Sequence, residues 1–147
     1  MRTILSLGLI CLVLTLNSCE IKPALINFGT DSCNFCKMTI VDQQHAAQYV
    51  TNKGKQFKFD AVECMLNDLS ERGMENLELM LVSDYGQPGM MTDATSATYL
   101  ISEKIKSPMG ANLSSFAQSS MATETMNTHG GELFTWKEML SKYKISE

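Results

Sequence analysis

The sequence predicts an α+β fold of two similar small ββαβ units, which follow a lipoprotein signal and a short tether. Three observations predict it: an apolar N-terminal run, short alternating strands that flank a helix, and a second cycle of the same kind after a polar segment. Strands and helices mixed without regular βαβ alternation are typical of this class. The predicted signal, tether, first unit, linker and second unit are 1–18, 19–30, 31–84, 85–96 and 97–147.

The segment 1–18 has the anatomy of an export signal, because Arg2 precedes the apolar run 4–16. That run is shorter than the roughly 20 residues that a bilayer-spanning helix needs. The letters "LNSC" at 16–19 resemble a bacterial lipobox, in which the cysteine is acylated and becomes the mature N-terminus. An ordinary signal peptide would instead leave Cys19 as an exposed thiol. We therefore expect a lipid on Cys19 and a folded part outside the cytoplasm, held on a bacterial membrane.

The composition argues against nucleic acid as a partner. The chain has 12 Lys and Arg against 16 Asp and Glu, a formal net charge of −4, and no basic cluster. Nucleic-acid binding relies on concentrated positive charge, which this chain lacks. Methionine is frequent, with 11 residues, and most of these can fill the core because methionine packs adaptably.

The first unit is predicted to begin with strands. Residues 39–41 are β-branched, and "AAQYVT" and "QFKF" flank the turn residues 52–55, which predicts a hairpin. Asp60 and Glu63 are then predicted to cap a helix that ends at Gly73. The apolar stripe of this helix is formed by Val62, Met65, Leu66 and Leu69.

Cys64 faces away from the apolar stripe of the predicted helix. A buried strand over 77–83 completes the first unit, and the polar stretch that follows it is the predicted linker.

The second unit is predicted to repeat this order. "ATYLIS" reads as a strand, "SPMG" at 107–110 as a turn or short strand, and Asn112 as the cap of a helix that carries Leu113 and Phe116. "GGELFTW" is a predicted strand and "KEMLSKY" a closing helix. A weak repeat signal relates Gly54, Phe57 and Phe59 to Gly131, Phe134 and Trp136.

Three cysteines, Cys33, Cys36 and Cys64, remain when those of the signal and the lipobox are set aside. An odd number of cysteines in an oxidising compartment leaves one thiol unpaired unless two chains join through a disulfide, so a homodimer remains an alternative. A structural disulfide, Cys33 to Cys36 or either of them to Cys64, is one interpretation. A catalytic dithiol is another, but the β-branched run after Cys36 argues against the helix N-terminus that activates such a cysteine.

Metal binding would also explain a persistent thiol. A structural zinc site needs four Cys or His ligands, and the two histidines, His45 and His129, stand alone. Thiolate plus thioether is the donor set that Cu(I) prefers. On an extended strand Cys36 and Met38 would project from the same face. The residues therefore favour Cu(I) at this pair, with Met38 as a core residue as the alternative.

Five motifs follow one another behind the lipobox-like segment, between about Cys33 and Leu140. They are "CNFCKM" (33–38), "HAAQ" (45–48), "GKQFKFDAVECML" (54–66), "SPMG" (107–110) and "GGELFTW" (130–136). In this order they resemble the NosL family, lipoprotein copper chaperones associated with assembly of nitrous oxide reductase.

The resemblance implies two similar ββαβ units and a Cu(I) ion held by a Cys-x-Met pair. It implies Cys36 as the thiolate ligand and Met38 and Met109 as thioether ligands, while a role of Cys33 as a ligand stays open. Many members carry glycine where this chain has Lys37. Its ammonium would favour the thiolate form of Cys36 and add positive charge near the copper.

The expected function is that of a membrane-anchored, extracytoplasmic metallochaperone, not an enzyme, that delivers Cu(I) for maturation of nitrous oxide reductase. The expected partners are the membrane, copper-enzyme assembly machinery and that reductase. Two alternatives stay open: a thiol-disulfide oxidoreductase that uses Cys33 and Cys36, and a general copper carrier for copper tolerance or oxidase assembly.

Overall fold

The computed structural model describes residues 20–146, so the predicted signal 1–18 and the predicted lipidation site Cys19 lie outside the described residues. The described part mixes helices with two antiparallel sheets, which confirms the α+β class. Its elements are β1 (Ala47–Thr51), β2 (Gln56–Phe59), α1 (Val62–Arg72), β3 (Leu77–Ser83), β4 (Met91–Asp93), β5 (Thr98–Ile101), β6 (Leu113–Phe116), α2 (Ser119–His129), β7 (Glu132–Phe134) and α3 (Trp136–Lys142).

The first sheet has the strand order β2-β1-β3-β4. The predicted hairpin is confirmed, since β1 and β2 pair with Ala47 opposite Phe59. The predicted strand at 39–41 is wrong. Thr39 forms an isolated bridge with Ser32, because this stretch closes a loop instead of extending a sheet. The segment predicted as a linker contains β4, which pairs with β3 at the edge of the first sheet.

Helix α1 begins without the predicted capping pair. Its N-cap is Ala61, with no side-chain hydrogen bond to the first turn, because Asp60 and Glu63 make contacts elsewhere. The predicted stop at Gly73 is confirmed: its φ is 79° and its N–H donates to the carbonyl of Leu69. A true capping box instead opens α3, where Thr135 and Glu138 bond to each other.

The second sheet has the strand order β6-β5-β7. The predicted helix from Asn112 is wrong, because Leu113 to Phe116 form β6 and pair with β5. All four residues of β6 are buried, and Asn112 has a φ of 56° that ends a loop and does not cap a helix. The helix of this unit is α2, which buries only Ala122.

The two units share the order strand, strand, helix, strand. The repeat signal in the sequence, however, matched the wrong positions. Phe57 and Phe59 lie in β2, whose counterpart is β6, whereas Phe134 lies in β7 and Trp136 begins α3. The likeness of the units is one of topology and not of those residues.

One apolar core joins both units. Buried residues of the first unit, such as Phe59 and Leu66, belong to the same cluster as Leu113 and Met139 of the second. Tyr49 stacks on Phe57 with ring centroids 4.7 Å apart. Burial of such side chains contributes about 1.5–3 kcal/mol each, so neither unit is expected to be stable without the other.

Candidate metal centre

The loop of residues 31–40 is anchored to the edge strand β2. The N–H of Asn34 donates to the carbonyl of Lys58 at 2.7 Å, and its side-chain oxygen accepts from the N–H of Lys58 at 2.7 Å. The ammonium of Lys58 contacts Asp31 at 2.6 Å. Within the loop, Cys33 N–H donates to the carbonyl of Met38 at 2.8 Å. These bonds hold Cys33 and Cys36 beside the end of β2.

Four donor atoms meet where this loop faces the start of α1. One ligand atom each of Cys33, Cys36, Asp60 and Cys64 lies within 4.8 Å of all the others. The Cys36 thiol donates to Asp60 Oδ1 at 3.4 Å. Cys33 and Cys64 are buried and Cys36 is half-buried. We call these four residues the thiol cluster.

The sequence interpretation missed two of the four donors. Asp60 had been assigned to helix capping, and Cys64 had been placed off the buried stripe, whereas Cys64 is fully buried. The first turn of α1 is surrounded by the loop as well as the core, so burial there does not follow a single helical face. The spacing of Asp60 and Cys64, one helical turn apart and directly after β2, is the signal that could have found them.

The thiols of the cluster differ in how readily they lose a proton. A hydrogen bond from Cys64 lowers the pKa of Cys33 to about 6, and the same contact, with burial, raises the pKa of Cys64. Burial, together with the neighbouring Cys33 and Asp60, raises the pKa of Cys36 to about 11. The shifts therefore favour the thiolate form at Cys33 and the protonated form at Cys36 and Cys64.

The segment after Cys36 is a turn and not a strand. Lys37 has a φ of 68°, so the argument that Cys36 and Met38 share a face of an extended strand is wrong. Met38 is 55% exposed, which is more than expected of a core methionine. The Lys37 ammonium donates to the carbonyl of Asn34 and stays at the surface.

Lys37 occupies the left-handed region that glycine adopts without strain. We therefore expect the free energy of unfolding of Lys37→Gly to exceed that of Lys37→Ala by about 1 kcal/mol. Both variants lose the Lys37–Asn34 hydrogen bond, so the difference between their free energies of unfolding reports the backbone strain at residue 37. Urea denaturation measures it, and equal stabilities of the two variants would contradict the assigned conformation.

Met109 lies at the corner of a tight turn in the long loop between β5 and β6. The N–H of Gly110 donates to the carbonyl of Ser107 at 3.1 Å, which places Pro108 and Met109 at the centre of the turn. Proline is favoured at that first central position because its φ is already set. Met109 is 44% exposed, so it is not part of the apolar core.

Glu63 connects this turn to the helix that carries Cys64. The Ser107 hydroxyl donates to Glu63 Oε1, and the N–H of Ala111 reaches the same oxygen at 3.4 Å. Glu63 is only 2% exposed, and its Oε2 has no partner among the described residues. A buried carboxylate beside Cys64 therefore docks the loop of the second unit onto the first turn of α1.

The two histidines make structural hydrogen bonds away from the thiol cluster. His45 is buried, with Nδ1 2.9 Å from Asp42 and Nε2 3.2 Å from Ser114 of β6. Its ring nitrogens are both engaged, so it links the two units. His129 ends α2, and its carbonyl accepts from Ser102 at 3.2 Å. Neither histidine belongs to the thiol cluster.

Three sulfur donors and one carboxylate suit a soft or borderline metal ion. Thiolates select Cu(I), zinc and iron–sulfur clusters. The sequence offers no histidine ligand beside the Cys33–Cys36 pair, but the structure adds a third cysteine and a carboxylate, which brings the number of zinc-compatible donors to four. The half-buried Cys36 leaves the cluster open on one side.

Two comparisons relate the chain to known proteins. A copper-binding lipoprotein NosL from Stutzerimonas stutzeri is 30% identical over 118 residues, which cover 75% of this chain and 62% of that relative. The crystal structure of the copper chaperone NosL from Shewanella denitrificans has the same fold, with a TM-score of 0.71 over 81% of this chain and 96% of that chain, at 19% identity.

Within residues 20–146, none of the helices has the length and apolar character that crossing a bilayer requires. The sequence model of the NosL family matches residues 27–144, which contain both sheets and the complete thiol cluster. On this match, supported by the identity to the Stutzerimonas protein, the chain belongs to the NosL family.

Proposed function

We propose that this chain is a Cu(I) metallochaperone, anchored by lipid on Cys19 outside the cytoplasm, that supplies copper for maturation of nitrous oxide reductase. One observation carries the proposal: three cysteine sulfurs and a carboxylate lie within 4.8 Å of one another in a NosL-family chain. Thiolate-rich sites are those that Cu(I) prefers. A lipid anchor would raise the encounter rate with an acceptor on the same membrane.

Cys36 is the proposed central ligand of the site. It is the half-buried thiol of the cluster, whereas Met38 and Met109 are exposed at the surface. We infer that the methionines receive and release the ion and that Cys36 holds it. A Cu(I) ion with two or three ligands leaves a side open, so an acceptor ligand can bind before the donor departs.

The rival function, thiol-disulfide exchange by Cys33 and Cys36, has weaker support. A redox-active cysteine is exposed and lies at a helix N-terminus, where its pKa falls. Here Cys33 is 1% exposed and Cys36 is half-buried, so neither thiol is placed for rapid turnover of a protein disulfide. The loop position of both residues offers no helix dipole.

The test is a Cu(I) titration against a chromophoric chelator, followed by X-ray absorption of the loaded protein. We expect a shell dominated by sulfur, and we expect Met109→Leu to lose one sulfur. Met121→Leu is the matched control, because Met121 is exposed to a similar degree, 41% against 44% for Met109, yet lies in α2. An unchanged sulfur shell in Met109→Leu would remove Met109 from the site.

The same titration, repeated with Zn²⁺ as a competitor, tests whether the site binds zinc. Cys33, Cys36, Asp60 and Cys64 could complete a four-coordinate zinc site. We expect excess Zn²⁺ to leave the Cu(I) affinity nearly unchanged. If Zn²⁺ displaces Cu(I) at equal concentration, the chain is a zinc protein and the copper proposal fails.

A further inference from the structure

The thiol cluster consists of an inner pair and one outer thiol. Cys33 is 1% exposed and Cys64 is 0% exposed, and their sulfur atoms lie within 4.8 Å of each other. Cys36 is half-buried, and its thiol donates to Asp60 at 3.4 Å. Two buried sulfurs therefore lie beside each other, and the outer thiol is hydrogen-bonded to a carboxylate.

A bond between the inner sulfurs would connect two separate elements. Cys33 belongs to the loop that lies along β2, and Cys64 belongs to the first turn of α1. Closing this loop of roughly thirty residues constrains the unfolded chain far more than closing the four-residue Cys33–Cys36 ring. In the loop-closure model a Cys33–Cys64 bond therefore shifts the folding equilibrium towards the folded state on the order of 20-fold more than a Cys33–Cys36 bond.

We propose that Cys33 and Cys64 form a reversible disulfide that decides how many thiolates the site offers to copper. This inference rests on the proposed function and on a disulfide oxidant of the extracytoplasmic space, a protein disulfide or oxidised glutathione. In the reduced form three thiolates and Asp60 are available. In the oxidised form Cys36 is the remaining thiolate, with Met38 and Met109 as the proposed thioether donors.

The outer cysteine gives the oxidant access to the inner pair. Cys36 attacks one sulfur of the oxidant, which breaks the oxidant's S–S bond and releases a first thiol. Cys33 then attacks Cys36 and releases the second thiol, and Cys64 attacks Cys33 and frees Cys36. Two electrons and two protons pass from Cys33 and Cys64 to the oxidant, which leaves as two thiols. All three sulfurs lie within 4.8 Å, so no large movement is needed.

The bond can be mapped without copper. The chain is incubated with excess oxidised glutathione, alkylated and digested with trypsin and chymotrypsin, since cleavage after Phe35 separates Cys33 from Cys36. We expect a linked Cys33–Cys64 peptide and an alkylated Cys36. A Cys33–Cys36 link, or alkylation of both Cys33 and Cys64, would overturn the proposal.

A variant without the outer thiol tests the route of oxidation. In Cys36→Ser we expect the same Cys33–Cys64 link, formed at least about tenfold more slowly because the more accessible thiol that starts the exchange is missing. Formation at the wild-type rate would show that the inner pair is oxidised directly and would overturn the role of Cys36.

Copper titrations of the same samples separate the two proposals. Reduction is expected to raise the Cu(I) affinity of the wild type by at least about tenfold, because two thiolate ligands return. The Cys33→Ser/Cys64→Ser variant should show equal affinity with and without reductant. A linked peptide in a chain that binds no Cu(I) would reject the copper function alone. If the chain binds Cu(I) tightly but all three cysteines are alkylated after treatment with oxidised glutathione, the disulfide proposal alone is rejected.

Discussion

Replacing Cys36 by serine is expected to lower the Cu(I) affinity at least about 100-fold in protein with oxidised Cys33 and Cys64, and at least about tenfold in reduced protein. A change beside a metal ligand already costs 10- to 100-fold in affinity, and this change removes a ligand. Serine offers a neutral, hard oxygen in place of a soft thiolate. The smaller loss on reduction follows because Cys33 and Cys64 can still hold the ion from inside.

The control for Cys36→Ser is Thr39→Ser, which changes an exposed side chain of the same loop and adds no metal donor. A chelator-competition titration measures both variants against the wild type. The Cys36 variant should also fail to hand copper to an acceptor, because Cys33 and Cys64 are shielded from solvent. An unchanged affinity would remove Cys36 from the site. A loss seen only in Cys33→Ser, together with catalytic turnover of a substrate disulfide by the wild type, would favour the oxidoreductase.

Gly131→Ala is expected to destabilise the fold by about 2–5 kcal/mol. A Cβ at this position would lie 2.2 Å from the carbonyl oxygen of Ile101 and 3.0 Å from Ser102, with a backbone φ of 113°. The neighbouring residue Glu132 pairs with Ile101 at the start of β7. The added methyl group therefore displaces β7 from β5 in addition to straining the backbone.

Gly130 provides the matched control, because it has a φ of 73° and nothing within 4 Å of a Cβ. Gly130→Ala should cost only about 1 kcal/mol, the backbone strain alone. Urea denaturation of both variants gives the difference, provided the denaturant slopes agree. Losses within about 0.5 kcal/mol of each other would show that the close approach to Ile101 is relieved at little cost.

Much of the first unit could be predicted because its residues obey local rules. The turn residues 52–55 between alternating strands specify a hairpin, and Gly73 adopts the positive φ that ends α1. The second unit was harder. The run Leu113 to Phe116 carries apolar residues three apart, as a helix face does, yet β5 beside it satisfies the backbone as a strand. Pairing between distant segments decided an ambiguous local pattern.

The candidate site could be predicted only where neighbouring letters carry the chemistry. The Cys-x-x-Cys spacing drew attention to Cys33 and Cys36, which the structure brings together. Asp60 and Cys64 could not be found by local reasoning, because a loop that lies along β2 brings the cysteines to the start of α1. Whether Met38 and Met109 bind the ion stays a prediction.

Helix α2 buries only Ala122, whereas the cysteines and Asp60 of the thiol cluster all belong to the first unit. Selection should therefore act unequally on the two halves. Substitutions on most of α2 would be close to neutral, so homologous chains are expected to diverge there fastest. The loop beside β2 and the first turn of α1 have less such freedom, because they carry the donors of the thiol cluster and the residues that anchor the loop. The substitution rates of homologous chains would thus distinguish the unit that carries the metal donors from the unit that supports it.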